Sequence, residues 1–224
     1  PFDLLTCPYL SFKNNEQRLM FTLNCKGRIL VVDKPLVMGI INVTPDSFYS
    51  ESRYQATDTI LQQAEQMLKD GATILDIGGQ STRPGSIKIS VEEELKRVLT
   101  SIEAIHKNFP EAFISIDTYY SKVATEAVAA GASIVNDISA GSIDENMIAA
   151  VAALQVPYVL MHMPGTPQTM QQQAQYENVT KEILDFFIQK KSKLHKAGIH
   201  DIVIDCGFGF GKTAAHNFEL LRNL

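Results

Sequence analysis

Cysteine is scarce in this chain. Cys7, Cys25 and Cys206 make an odd three, and none stands in a CxxC spacing. That argues against a disulfide framework or a cysteine-rich zinc site and makes a reducing, cytoplasmic compartment the expectation. No run of Lys or Arg occurs, and a net charge of -5 argues against a general nucleic-acid surface, so any anion must be held by locally placed donors. No apolar stretch is long enough to cross a bilayer. No basic segment leads into a short apolar one, so neither membrane insertion nor secretion is expected. HExxH spacing is missing, and so are sequence signs of a Ser-His-Asp or Cys-His nucleophile. What is present is 45% hydrophobic residues over 224 positions, enough for one sizeable core.

Those hydrophobic residues are grouped. Six short apolar runs, LVMGIIN, TILDIGG, AFISID, SIVND, YVLMHM and IVID, carry the polar residues Asn42, Asp76, Asp117, Asn136, His162 and Asp205 at or near their ends. Continuous apolar runs read as parallel strands covered on both faces, and the stretches between them have helical periodicity. The first helix is expected from about Asp58, with Gly71 as its stop. Ser90 and Glu93 form a capping-box pattern ahead of the stripe Val91, Leu95, Val98, Leu99, Ile102 and Ile105. Further helices are expected up to Gly131, over residues 144–154, and from about Glu177 to Gly198. Before all this, RLMFTLNCKGRILVV reads as a β-hairpin turning at Asn24, Lys26 and Gly27; a lid over the closed end of a barrel and an N-terminal decoration with no functional role fit equally well.

Alternating βα units with right-handed crossovers give an α/β fold with a parallel sheet. The expected fold class is a (β/α)8 TIM barrel with an N-terminal β-hairpin. The whole of 1–224 reads as one barrel domain, 1–35 being the N-terminal segment and hairpin and 36–224 the first six βα units. Six units do not close a barrel, so the expectation is a chain lacking the last two strands rather than an open doubly wound sheet.

Strand C-terminal ends in a barrel meet on one face, and catalytic groups collect there. Asp117, Asn136 and Asp205 each close an apolar run and must be hydrogen-bonded there. Together they suit a heterocycle with adjacent N–H donors, of guanine or pterin type; capping of the following helices is the plainer alternative. STRPGS at 81–86 combines hydroxyls, a guanidinium and loop amides, as an anion such as phosphate needs, although a solvated turn carries equal weight. Asn42 in NVTPDSF can offer Mg²⁺ an amide oxygen beside substrate phosphates, and Asp46 follows in the loop; a simple Asx-turn is the alternative. In CGFGFGKT, Cys206 occupies the place of the first Walker glycine, and Lys212 the third position of a dinucleotide fingerprint, so both readings fail. His162 between Met161 and Met163 reads as a satisfied core histidine more than as a ligand.

MGIINVTPDSF, LDIGGQSTRPGS, SIDTYYSKVA, SIVNDISAG, VLMHM and DCGFGFGKT resemble, in this order, the motifs of the dihydropteroate synthase family, from about Leu36 onward. The resemblance implies a transferase of folate biosynthesis. It joins 6-hydroxymethyl-7,8-dihydropterin pyrophosphate to p-aminobenzoate, uses Mg²⁺, works as a homodimer and is the target of sulfonamides. It implies that Asp117, Asn136 and Asp205 bind the pterin, with Asp205 accepting from its exocyclic amine and ring N–H, and that Met161 and Phe210 border the ring. Asn42 would hold Mg²⁺ on the pyrophosphate, Thr82 and Arg83 would contact phosphates, and Phe48 and Pro84 would shape the p-aminobenzoate pocket. Asn42 and Arg83 are the residues expected to act on the leaving group, and Asp76 is a substrate-side neighbour without an assigned task. The alternative is a pterin-binding barrel resembling methyltetrahydrofolate methyltransferases. This chain departs from the family pattern at Gln80, where Glu is usual, at Cys206, where Pro is usual, and in SFYSESRY. It also lacks the family's last two strands, with their Ser-Arg-Lys segment and late Arg and His.

Overall fold

The computed structural model describes residues 20–43, 53–81 and 87–224, the side chains of 53–56 apart. The chain enters through an antiparallel hairpin, β1 (Phe21–Cys25) and β2 (Arg28–Val32), with Leu23 opposite Leu30. Its two-residue turn needs positive φ at both positions. Lys26 (55°) and Gly27 (87°) supply it, and Asn24 Oδ1 accepts from Gly27 N at 2.8 Å.

Six βα units follow. They are β3 (Val37–Asn42), α1 (Arg53–Lys69), β4 (Ala72–Gly78), α2 (Val91–Asn108), β5 (Phe113–Asp117), α3 (Ser121–Ala130), β6 (Ile134–Asp137), α4 (Met147–Leu154), β7 (Tyr158–Met161), α5 (Val179–Lys196), β8 (Ile202–Asp205) and α6 (Ala214–Arg222). The strands pair in parallel in sequential order from β3 to β8. Among the described residues β3 and β8 have a neighbour on one side only, and Val37, Ile40, Val203 and Ile204 are exposed there. None of the described helices is long and apolar enough to cross a membrane.

The pleat sorts each strand into two faces. Leu75, Ile77, Ile114, Ile116, Val135, Tyr158 and Leu160 point outward into the layer shared with the helices. Ile74, Ile134 and Val159 point inward at the N-terminal end, where they pack with Leu23, Cys25 and Leu30 of the hairpin. The hairpin therefore covers this end of the sheet, as the lid reading has it. Its tether is polar: Asn24 N donates to Asp201 Oδ2 at 2.8 Å, Lys26 Nζ to Val128 O at 2.6 Å, and the Arg28 guanidinium to the carbonyls of Pro110, Glu111 and Ala112 at 2.8–3.2 Å. Arg28 also lies over the Phe113 ring.

Three helix starts differ from expectation. The first helix begins at Arg53, five residues before Asp58, without an acidic first turn to mark it. Residues 144–146 stay outside α4 because Asp144 turns its carboxylate onto the amides of Ser121 and Asn146. Helix α5 starts at Val179 because Asn178 caps it, accepting from Lys181 N. Of the capping box on α2, Ser90 plays its part by accepting from Glu93 N, whereas the Glu93 carboxylate binds Arg97 instead.

Candidate active site at the strand ends

Register places the polar residues side by side. Asn42 pairs with Gly78, Gly78 with Asp117, and Asp117 with Asn136; two strands on, Met161 pairs with Asp205. One layer deeper Asp76 pairs with Ser115. Because side chains two apart share a face, β4 presents Ile74, Asp76 and Gly78 inward and β5 presents Ser115 and Asp117. The interior thus changes from apolar at the hairpin to polar at the mouth.

Gly78 keeps that mouth open. A Cβ there would lie 3.3 Å from Asp117 Oδ2 and 3.7 Å from Asn42 Oδ1, so both oxygens converge above a residue with no side chain. Asn136 is oriented from below: its Nδ2 donates to Asp76 Oδ2 at 2.9 Å, while Asn136 Oδ1 and Asp76 Oδ1 have no partner in this structure. Asp76 thereby gains the task the sequence left open. None of Asp117, Asn136 and Asp205 caps a helix; α3, α4 and α6 are entered through Tyr120, Asn146 and Thr213. Asp205 Oδ1 accepts from Gly207 N at 2.8 Å, an Asx-turn that starts the glycine-rich loop.

The acids are held in a poorly solvated cluster. Burial drives the Asp117 carboxyl well above the ordinary carboxylate range, and the neighbouring acids Asp76, Glu94 and Asp137 add to the rise. Asp76 is raised by burial, partly offset by Asn136 and the nearby Ser115 hydroxyl, although the latter makes no hydrogen bond of ordinary geometry. A heterocycle that donates N–H groups to these carboxyls pulls them back toward the ionised form. Binding of a ligand that donates N–H groups here should therefore release protons and tighten as pH rises. Titration calorimetry in buffers of different ionisation enthalpy measures this directly.

Behind the site the glycine-rich loop is fixed by Lys212, which sequence reasoning set aside with the Walker pattern. Its ammonium is buried and donates to the carbonyls of His162, Gly207 and Phe210 at 3.1, 3.0 and 2.9 Å. Burial lowers its pKa to about 8, against the pull of Asp205. Gly207, with φ of 66°, must lack a Cβ, which would run into the His162 carbonyl oxygen. The loop brings Phe210 to an apolar group of Met161, Met163, Ile138, Tyr119 and Met170. Met161 and Phe210 thus belong to one apolar cluster, in which Ile138 was not foreseen. His162 is a core residue, edge-on to Phe186 at 4.8 Å, but not a satisfied one: its Nδ1 has no partner, and burial lowers its pKa to about 4.

Two more residues escaped the sequence reading. Glu94 of α2 is fully buried under Gly79, where a Cβ would sit 3.1 Å from its Cγ. Its carboxyl oxygens make no hydrogen bond of ordinary geometry, although the Thr118 hydroxyl is near enough to favour ionisation. Asp137 faces the helix layer, not the mouth, and its carboxylate is occupied by Ser139, Gly141 and Tyr158. Thr82, Arg83, Pro84, Phe48 and Asp46 lie outside the described residues. Among the described residues no group of three or more His, Cys, Asp or Glu could hold a metal ion, and Cys25 and Cys206 are free thiols.

A parallel sheet whose strand ends line up acids and amides, with an apolar slot beside them, defines a barrel-type small-molecule site. The family described as "Pterin binding enzyme" matches residues 38–224, and the chain belongs to that family. Several of the proteins it is similar to are named dihydropteroate synthase. Dihydropteroate synthase of Escherichia coli K12 is 43% identical over 201 residues, covering 89% of this chain and 71% of that protein. Folic acid synthesis protein fol1 of Schizosaccharomyces pombe is 46% identical over 197 residues; the match covers 87% of this chain but only 27% of that longer protein. The structure of Xanthomonas albilineans dihydropteroate synthase with 4-aminobenzoic acid superposes with a TM-score of 0.80 at 42% identity, over 90% of this chain and 71% of the other. The six sequential βα units correspond to part of that enzyme's (β/α)8 barrel.

Proposed function

We propose that the protein containing this chain is a dihydropteroate synthase, a transferase that joins the methylene carbon of 6-hydroxymethyl-7,8-dihydropterin pyrophosphate to the nitrogen of p-aminobenzoate. The observation that carries the reading is the register line Asn42, Gly78, Asp117 and Asn136, completed by Asp205 on the last described strand. It offers carboxyl and amide groups to the hydrogen-bonding edge of a pterin, while Met161, Ile138 and Phe210 supply an apolar surface for its ring. Asp205, fixed by Gly207 N, takes the exocyclic amine and ring N–H; Asn136, fixed by Asp76, takes a second edge.

The chemistry needs little from the protein beyond position and electrostatics. The C–O bond to the diphosphate breaks with its electron pair leaving on oxygen, and the electron-rich ring delocalises the cation that remains. The arylamine lone pair then forms the C–N bond, and the acidified nitrogen gives its proton to solvent. Thr82 and Arg83 are assigned to the phosphates, where a guanidinium offsets the charge that builds on the leaving group. Phe48 and Pro84 are assigned to the p-aminobenzoate pocket, which sulfonamides would occupy.

Asn42 is exposed at the mouth and offers one neutral amide oxygen. That donor fits Mg²⁺, which takes few protein ligands and completes its shell with phosphate oxygens and water. When bound, Mg²⁺ would neutralise charge on the diphosphate. Cytoplasmic location and a homodimeric state complete the proposal, on family resemblance.

The reading is tested by pyrophosphate release. Release should require both the pterin pyrophosphate and p-aminobenzoate and should fall when a sulfonamide competes with the arylamine. Release that is indifferent to p-aminobenzoate would reject it.

A further inference from the structure

Three main-chain carbonyls converge on one buried point behind the strand ends. They belong to His162, which follows β7, and to Gly207 and Phe210 of the glycine-rich loop after β8. Carbonyl oxygens gathered away from water need donors at their centre. An ammonium has three N–H groups and no acceptor, and Lys212 places one on each oxygen. None is left for a substrate phosphate, so Lys212 can act on a ligand only through the loop it holds.

What it holds is the apolar slot. His162 is the neighbour of Met161, and Phe210 supplies one of the three carbonyls itself. One side chain therefore sets the two residues of that cluster, one from β7 and one from the loop, relative to each other. Gly207 is drawn against the same strand end, where a Cβ would lie 3.1 Å from Met161 Cγ. The outer side of the loop is tied separately. Gly209 O accepts from Gln171 Nε2 at 3.1 Å, Gly209 N donates to Asn217 Oδ1 at 3.0 Å, and Gly211 O accepts from the Tyr176 hydroxyl at 3.0 Å. The titratable groups around the ammonium are Asp205 and Cys206 at the end of β8 and His162 after β7.

On the proposed function's placing of a pterin ring against Met161, Ile138 and Phe210, we infer that Lys212 is a positioning residue for the heterocycle: its ammonium holds Phe210 and the loop in place beside Met161 and Asp205, so the slot has its shape before a ligand enters.

The test compares Lys212→Met, Lys212→Gln and Arg28→Met with the parent at about pH 7, where the Lys212 ammonium, with its pKa of about 8, is charged. Arg28 is the matched control, because its guanidinium also donates to three main-chain carbonyls, but at the hairpin end of the sheet. In Lys212→Met the Kd for 6-hydroxymethylpterin, measured by calorimetry, should rise about tenfold. Methionine fills much of the volume but leaves three carbonyls without donors, and the loop shifts to find them. KM for the pterin pyrophosphate should rise by the same factor, while kcat and KM for p-aminobenzoate stay within about threefold, since the slot binds the ring and not the reacting atoms. Lys212→Gln, with two N–H groups in place of three, should lie between parent and Lys212→Met. Arg28→Met should keep the parental Kd within about twofold even where its melting temperature falls. Hydrogen exchange on the ligand-free parent needs neither a variant nor turnover. The amides of Gly207 and Phe210, bonded to Asp205 Oδ1 and Gly207 O, should already be protected by on the order of a hundredfold over an open loop. A Lys212→Met protein with parental Kd would overturn the inference. So would a Kd raised equally by Arg28→Met, or open-loop exchange at Gly207 and Phe210 in the ligand-free parent. A parent that binds no pterin would instead reject the proposed function, and the exchange of the Phe210 amide in parent and Lys212→Met would still decide whether the ammonium holds the loop.

Discussion

The Asp205→Ala protein is expected to lose roughly a hundredfold or more in kcat/KM, carried mainly by pterin affinity. A carboxylate facing two N–H donors of one ligand edge makes charge-assisted bonds, each worth about 1.5–3 kcal/mol. Truncation leaves those donors facing a partly buried space with nothing to accept them. The loss has a second source, because Asp205 Oδ1 also holds Gly207 N at 2.8 Å and so sets the start of the loop that carries Phe210. Asp205→Asn separates the two. Its oxygen can still accept from Gly207, whereas its amide hydrogens face the pterin's own donors. Steady-state kinetics should therefore place Asp205→Asn close to Asp205→Ala. If Asp205→Asn instead recovered most of the activity, the loop anchor rather than pterin recognition would be the residue's main task.

The second large effect concerns Glu94. Burial raises its pKa from 4.5 to about 7, opposed by the Thr118 hydroxyl and Arg97. An acid whose pKa is higher in the folded chain than in the unfolded one favours folding most at low pH. The contribution is whole below the unfolded value of 4.5 and drains away as pH rises through about 7. Across that window the difference is about 3 kcal/mol by linkage. Glu94→Gln holds the group neutral at every pH. Its melting temperature should fall less than the parent's between about pH 5 and pH 8, by on the order of 5–10 °C for a chain of this size. A smaller slope should persist in the variant, because Asp76, Asp117 and Asp137 are also raised by burial. Parallel melting curves for the two proteins would show that Glu94 finds a partner or water that stabilises its charge.

How much of this could be read beforehand depends on whether a property belongs to a residue or to a pairing. Strand identity belonged to residues: continuous apolar runs between helical stretches were legible, and Asn42, Asp117, Asn136 and Asp205 stood at their ends. So was the hairpin, because Lys26 and Gly27 sit between two β-rich segments. The sequence did not say which face a strand residue takes. Asn136 and Asp137 are adjacent, yet one points to the mouth and the other to Tyr158 and the helix layer. A strict alternation of faces, started from Ile134, separates them. Glu94 had a signal too. It stands three residues after Val91 and four before Val98, inside the apolar stripe of α2, and such a position is buried unless the helix turns away. Lys212 had none, because its partners are carbonyls of loops whose paths no local pattern specifies. Lys212, for which the Walker reading fails, is a clamp on its own loop.

The most direct test of the account is to identify the product. Incubating the protein with 6-hydroxymethyl-7,8-dihydropterin pyrophosphate and p-aminobenzoate, and following both the organic product by mass and pyrophosphate by coupled assay, should give 7,8-dihydropteroate and pyrophosphate in equal amounts. A methylated folate bound tightly by the same strand ends, with no C–N product from the two substrates, would contradict it.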